Sequence, residues 1–160
     1  MKKLFTCILL FTAVMMSAQE VPTSFPRKYL IEHFTGDQCG YCPWGMFSIV
    51  EYIQNTSTPC IWVSHHYGYN EDEYTIPENA KIGKAVGVQG APNMAMNRTK
   101  IMGTSIAFHP GYLVDAGIPA QIASKCPTEA EASVIINHTY DAATRELNVT
   151  VSGQVANTDV

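Results

Sequence analysis

Apolar and polar positions fall into several regimes along this chain. Leu4 to Met16 is an almost unbroken apolar run, preceded by Lys2 and Lys3 and followed by Ser17-Ala18. A basic start, an apolar centre and small residues after it predict a secretory signal peptide over 1–18, cleaved after Ala18. The run spans 13 residues, whereas a membrane-crossing helix needs roughly 20. Residues 19–27, with Pro22 and Pro26, read as an extended leader. Lys28 to Phe34, mainly apolar and β-prone and stopping at Thr35-Gly36-Asp37, reads as a buried strand. Met46, Phe47, Ile49, Val50 and Ile53 then follow helical spacing, predicting an amphipathic helix from Cys42 to Gln54 with Pro43 in its first turn. Cys60 to His65 reads as a second short buried strand.

Residues 67–77 are polar and tyrosine-rich and read as a surface insertion. A helix follows over 78–86, stopped by Gly87. Strands are expected at Asn93–Asn97 and near Ser105–Phe108, and a helix near Pro119–Lys125. Beyond Cys126-Pro127 the spacing turns to two: Leu147, Val149 and Val151 alternate with Asn148, Thr150 and Ser152. Paired with the β-prone 133–137 across a turn at 140–144, this predicts a hairpin. The expected organisation is a signal peptide (1–18), a leader (19–27), an α/β domain (28–126) with an insertion near 67–77, and over 127–160 the start of a β-sandwich-like domain that is not completed.

Composition narrows the class. The formal net charge is −4, and loss of Lys2 and Lys3 with the acid-free segment 1–18 makes it −6. Nothing in that balance suits nucleic acid. No stretch after residue 18 is long and apolar enough to be a transmembrane segment, so the mature protein is expected to be soluble or peripherally attached. Cys7 sits too early to be a lipid-attachment cysteine. The mature cysteines are Cys39, Cys42, Cys60 and Cys126; four cysteines allow three pairings, and spacing does not choose among them.

The chemistry gathers at Cys39-Gly40-Tyr41-Cys42, which follows a strand and a short loop and opens a helix. A helix N-terminus offers unpaired N–H groups and the positive end of the helix dipole, both favouring an anion. A thiolate is therefore favoured there, and the thiolate is the nucleophile of disulfide exchange. Cys39, the more exposed cysteine, is expected to attack, and Cys42 to resolve the mixed disulfide. Half of a zinc site, a structural disulfide and chance spacing are the competing readings.

The stretch Ile82 to Pro92 followed by a strand resembles the segment before the cis-proline of the thioredoxin family. The resemblance covers roughly 28–126 and implies a thioredoxin-like fold, a mixed central sheet flanked by helices. It also implies a cis Ala91–Pro92 bond beside the cysteine pair, with Ala91 and Pro92, together with Tyr41, meeting substrate. The family's buried acid aligns near His33, with Glu32 one residue earlier and on the opposite sheet face; both are candidates for relaying protons to Cys42. Cys39-Gly-Tyr-Cys42 is similar to the motif of periplasmic disulfide isomerases. Phe34-Thr-Gly-Asp-Gln-Cys-Gly-Tyr-Cys-Pro43, Val63-Ser-His-His66 and Pro92 to Arg98 resemble the outer-membrane-protein-twenty-eight-related family of Gram-negative bacteria. In that family a β-rich domain follows the redox-like one, and members are commonly described only as outer-membrane proteins.

The expected function is an exported thiol-disulfide oxidoreductase of the periplasm or outer-membrane region. It would act on protein thiols or disulfides without a cofactor, and a membrane redox partner is a further candidate. The alternative is an outer-membrane-associated binding or adhesion protein with a static disulfide. A third reading, copper handling, would use Cys39, Cys42 and His66, since thiolate and imidazole suit that metal; a solvated loop-end pair is the plainer reading of His65-His66. Cys60 and Cys126 are expected either to pair or to stay as buried thiols. The tyrosines of 67–77 frame a partner surface or belong to a mobile loop. The glycosylation-type triplets at Asn55, Asn97, Asn137 and Asn148 are taken as chance in a bacterial protein.

Overall fold

The computed structural model describes residues 22–156; the expected signal peptide lies outside them. The elements in chain order are β1 (Phe25–Pro26), β2 (Tyr29–Thr35), α1 (Cys42–Asn55), β3 (Cys60–His66), α2 (Pro77–Val86), β4 (Asn93–Met96), β5 (Ala107–Phe108), a 3-10 turn (Pro110–Val114), α3 (Ile118–Lys125), β6 (Glu129–Ala130), β7 (Ala132–Asp141) and β8 (Glu146–Val155).

The central sheet has the order β3-β2-β4-β5. β2 runs parallel to β3, from Tyr29 opposite Cys60 to Thr35 opposite His66, and antiparallel to β4, from Ile31 opposite Met96 to Phe34 opposite Asn93. β2 is thus an inner strand covered on both faces, which is why its sequence shows no apolar-polar alternation; Glu32, His33 and Thr35 are buried along with its apolar residues. β3 is the edge strand, and the expectation that it is wholly buried is corrected: Ile61 and Val63 are exposed. α2 reaches only the end of β3, where His65 meets Asn79.

Two apolar clusters flank this sheet. On one face Tyr29, Ile31, Met94 and Met96 pack with Ile49 and Tyr52 of α1, Leu113 of the 3-10 turn, and Ile118 and Ile122 of α3. On the other, Phe34 and Ala95 pack with Val86 and Val88 at the end of α2. Sheet and helices form the mixed α/β arrangement of a thioredoxin-like fold, as expected. α2 ends at Gly87, whose φ of 82° is left-handed and whose N–H bonds the Gly83 and Lys84 carbonyls; only glycine takes that conformation without strain.

α1 keeps part of its sequence reading, with Ile49 buried and Ile53 packed against the core, and departs from the rest. Its buried residues are Cys42, Gly45, Ser48, Ile49 and Tyr52, whereas Met46, Phe47 and Val50 are exposed. At Gly45 the inward stripe is small because two proline rings crowd it. A Cβ placed on Gly45 would stand 2.8 Å from Pro92 Cβ and from Pro110 Cγ. The leader also differs from an unattached extended segment, since β1 pairs with β6 and Arg27 N–H donates to the Thr128 carbonyl. β7 and β8 form the expected hairpin as a separate two-stranded sheet, its turn held by Asp141 Oδ1 accepting from the N–H groups of Ala143 and Thr144.

Candidate functional site

The loop from β2 to α1 carries Cys39 on a short turn. Cys39 N–H donates to the Gly36 carbonyl (3.2 Å), and Cys42 N–H donates to the Cys39 carbonyl (3.1 Å) as α1 begins. Cys39 and Cys42 are joined by a disulfide with Cα atoms 5.4 Å apart. Tyr41 caps the helix without a side-chain hydrogen bond, and no acidic residue lies in the first turn. The positive end of the helix therefore has no compensating anion from its own side chains, the condition that favours a thiolate after reduction.

The expectation that Cys39 is exposed is corrected. In the disulfide form Cys39 is 5 % and Cys42 2 % exposed. Tyr41 between them is 77 % exposed.

The Ala91–Pro92 bond is cis, and Pro92 packs on Gly45, one turn into the helix that Cys42 opens. Pro92 thus lies on the α1 side of the sheet, with the cysteine pair. Ala91 is half-buried next to it.

Glu32 and His33 lie on opposite faces of β2. Glu32 faces away from α1: Arg98 Nε and Nη2 donate to its two carboxylate oxygens at 2.8 and 2.7 Å, and His65 Nε2 lies 3.4 Å away. The bonded Arg98 guanidinium holds the Glu32 carboxyl below its ordinary range, against the opposing effect of burial. Arg98 reaches it because Asn97 and Arg98 both adopt left-handed backbone, φ 49° and 50°, while Asn97 Oδ1 accepts from Leu30 N–H. His33 faces α1, edge-on to Trp62, fully buried, with neither ring nitrogen bonded to another protein group. Burial, aided by the nearby His66, pulls its pKa down to about 4.

The two histidines closing β3 are not a solvated pair. His65 is buried, its Nδ1 3.2 Å from Asn79 Oδ1. His66 Nδ1 lies 2.6 Å from Asp72 Oδ2, inside the insertion. Asp72 Oδ2 also accepts from Asp37 N–H, two residues before Cys39, and Asp72 Oδ1 accepts from Tyr74 N–H and from Thr75 Oγ1. Burial opposes the Asp72 charge, but the His66 bond and these donors prevail and bring its pKa to about 2. The insertion is thereby anchored to the loop that carries Cys39, a role its composition did not disclose. Asp72-x-x-Thr75 is nonetheless a recognisable Asx-turn signature. Cys60 and Cys126 are free, the first half-buried and the second fully buried, and burial pushes both thiols up.

The copper-handling reading needs three ligands to converge. Among the described residues no group of three or more His, Cys, Asp or Glu side chains does so, and His66 is engaged by Asp72. No helix among the described residues is long and apolar enough to cross a membrane. A cleft of about 400 Å³ lies at the other end of α1, lined by Tyr29, Tyr52, Leu113 and Val114 among others, and shares no residue with the cysteine pair.

No protein-family model and no curated protein matches the chain. Among solved structures, HBP35 of Porphyromonas gingivalis is similar, with a TM-score of 0.64 and 22 % identity over 83 % of this chain. This chain spans 44 % of the length of that one. A protein from Agrobacterium tumefaciens solved by X-ray crystallography matches at a TM-score of 0.43 and 17 % identity, covering 84 % of this chain and 58 % of its own. The first likeness bears on the fold alone.

Proposed function

We propose that this chain is an exported thiol-disulfide oxidoreductase of the Gram-negative periplasm or outer-membrane region, related to the outer-membrane-protein-twenty-eight-related family and acting on protein substrates. The observation that carries this reading is the Cys39–Cys42 disulfide at the uncompensated N-terminus of α1, with Pro92 packed on the same helix. In the reducing direction the Cys39 thiolate attacks a substrate disulfide, forming a mixed disulfide and releasing one substrate thiolate. Cys42, deprotonated, then attacks the Cys39 sulfur, releasing the second substrate thiolate and closing the Cys39–Cys42 bond. Two electrons pass from the dithiol to the substrate disulfide; the reverse sequence oxidises a substrate dithiol. The Cys42 proton passes to the substrate thiolate released in the first step or to water; His33, on the face that α1 covers, has its charged form disfavoured by burial and stays neutral. Glu32, already paired with Arg98, serves the fold. Ala91, Pro92 and Tyr41 frame the approach of the substrate chain, and a membrane redox partner resets the pair.

Burial of both cysteines favours a second reading, a binding or adhesion protein in which the thioredoxin-like domain is a scaffold around a static disulfide. Trapping separates the two. Cys42→Ser, lacking the resolving thiol, should accumulate mixed disulfides with protein partners, and Cys39→Ser should be inert. Redox equilibration adds a second readout: a Cys39–Cys42 potential below about −300 mV is that of a structural disulfide. Such a potential, with no trapped species in Cys42→Ser, would establish the scaffold instead.

A further inference from the structure

β3 ends the central sheet on one side, and among the described residues no strand pairs with its outer edge. Native sheets guard such an edge with a bulge, a proline, a charge or a very short strand. β3 has none of these. Its register against β2 runs unbroken from Cys60 to His66, seven residues, and holds no lysine, arginine, aspartate, glutamate or proline. One face of its middle is also bare. Trp62 turns to the cluster under α1, but α2 meets the strand only near His65, so Ile61 (49 %) and Val63 (39 %) stay exposed. The other edge of the sheet offers little by contrast, since β5 is two residues long and both are buried.

We propose that β3 pairs antiparallel with β3 of a second copy of this chain, about a two-fold axis beside Val63, joining two four-stranded sheets into one. Three features select this occupant. A row of free backbone N–H and C=O groups is satisfied by another strand, and a second copy brings an unguarded one of equal length. The exposed run of Ile61, Val63 and Ser64 centres the contact on Val63. With Val63 opposite itself, the histidines fall opposite Ile61 and Cys60, so no two charges of like sign meet. The Ile61 and Val63 side chains of both copies then share one face of the joined sheet. Finally, β3 is the long free edge of this sheet and β5 is not, so the pairing is isologous and stops at two. β2 and β3 are parallel, and the cysteine loop follows β2, so an antiparallel pair carries its two disulfides to opposite ends and leaves both accessible. Seven paired residues a side are few beside the roughly 20–30 of a standard interface. The dimer should accordingly be weak, dissociating at micromolar concentration or above.

Sedimentation equilibrium of the full chain, from micromolar to millimolar concentration, should show monomer passing into dimer. Val63 is exposed, so lysine fits the folded monomer; Val63→Lys sets two ammonium groups across the axis and should weaken dimerisation roughly tenfold or more. Val63→Thr, uncharged and β-prone, should keep it. Cross-linking reads the register independently. In a Cys60→Ser background, Val63→Cys puts two thiols on directly opposed residues, whose Cα atoms lie about 4.5–5.5 Å apart, within disulfide reach. The two copies of position 61 lie about 14 Å apart along the ladder. Oxidation should therefore link Val63→Cys into a dimer through position 63 and leave Ile61→Cys unlinked. A chain that stays monomeric at every concentration would overturn the proposal. So would equal linking at 61 and 63, or a dimer of unchanged strength in Val63→Lys, which would move the contact elsewhere, as to the hairpin of β7 and β8.

Discussion

His33 sits fully buried on the α1 face of the central strand, in company with Trp62, and no protein group bonds either nitrogen. Its charged form is disfavoured by burial, so its pKa falls from 6.5 to about 4 on folding. The unfolded chain therefore binds a proton at a higher pH than the folded one. Its contribution to stability is fully present above pH 6.5 and is lost as the pH falls through about 4, a change on the order of 3 kcal/mol. His33→Leu cannot take that proton. Denaturant unfolding across this window should show a markedly shallower loss of stability in the variant. Equal slopes for the two proteins would mean that His33 does not titrate as a buried neutral group. Glu32, one residue earlier, has its carboxylate held by Arg98 on the other face. Adjacent positions on one strand thus meet opposite faces of the sheet by alternation alone.

At the scale of elements, α1 shows what kind of information the sequence carries. Its existence, its start at Cys42 and its relation to the cysteine motif are legible from spacing and from Pro43. Its buried face is legible only in part: Ile49 and Ile53 turn to the core as their spacing predicts, but so do the small Gly45 and Ser48, while the apolar Met46, Phe47 and Val50 face outward. A periodicity argument gives the core to the larger side chains; here the close approach of Pro92 and Pro110 reserves position 45 for glycine. Gly45→Ala tests this directly. Alanine favours a helix over glycine by up to about 1 kcal/mol, yet its methyl would press on two proline rings fixed to their own backbones. We expect net destabilisation of about 1–3 kcal/mol in denaturant midpoint measurements; an unchanged or raised midpoint would show that the rings can retreat. The insertion is readable as an insertion but not as an anchored one, since Asp37, the partner that ties Asp72 to the cysteine loop, is distant in sequence and brought to it only by the fold. β1 and β6 escaped for a similar reason: each is two residues long, too short to carry a period.

For the molecule as a whole, the division of the chain into a thioredoxin-like part and a following β-rich part turns on β7 and β8. Their register pairs Ile136 with Val151, His138 with Val149 and Tyr140 with Leu147, so one face of the hairpin gathers Val134, Ile136, Tyr140, Leu147, Val149 and Val151. All six are exposed, while the central sheet has its own two clusters. Ordering a residue costs about 1–2 kcal/mol in backbone entropy, and a two-stranded hairpin with an uncovered apolar face is marginal in water. The hairpin in this chain should therefore open far more readily than the sheet that bears the disulfide. Amide hydrogen exchange reads the difference residue by residue. Fast exchange across 132–155, against strong protection of 29–35, is the expected pattern. Adding a surface that covers the apolar face should slow the hairpin amides while leaving those of β2 unchanged. Protection of β7 and β8 equal to that of β2 in the chain by itself would instead make the hairpin part of the same cooperative unit, and the boundary near Cys126 would not be a domain boundary.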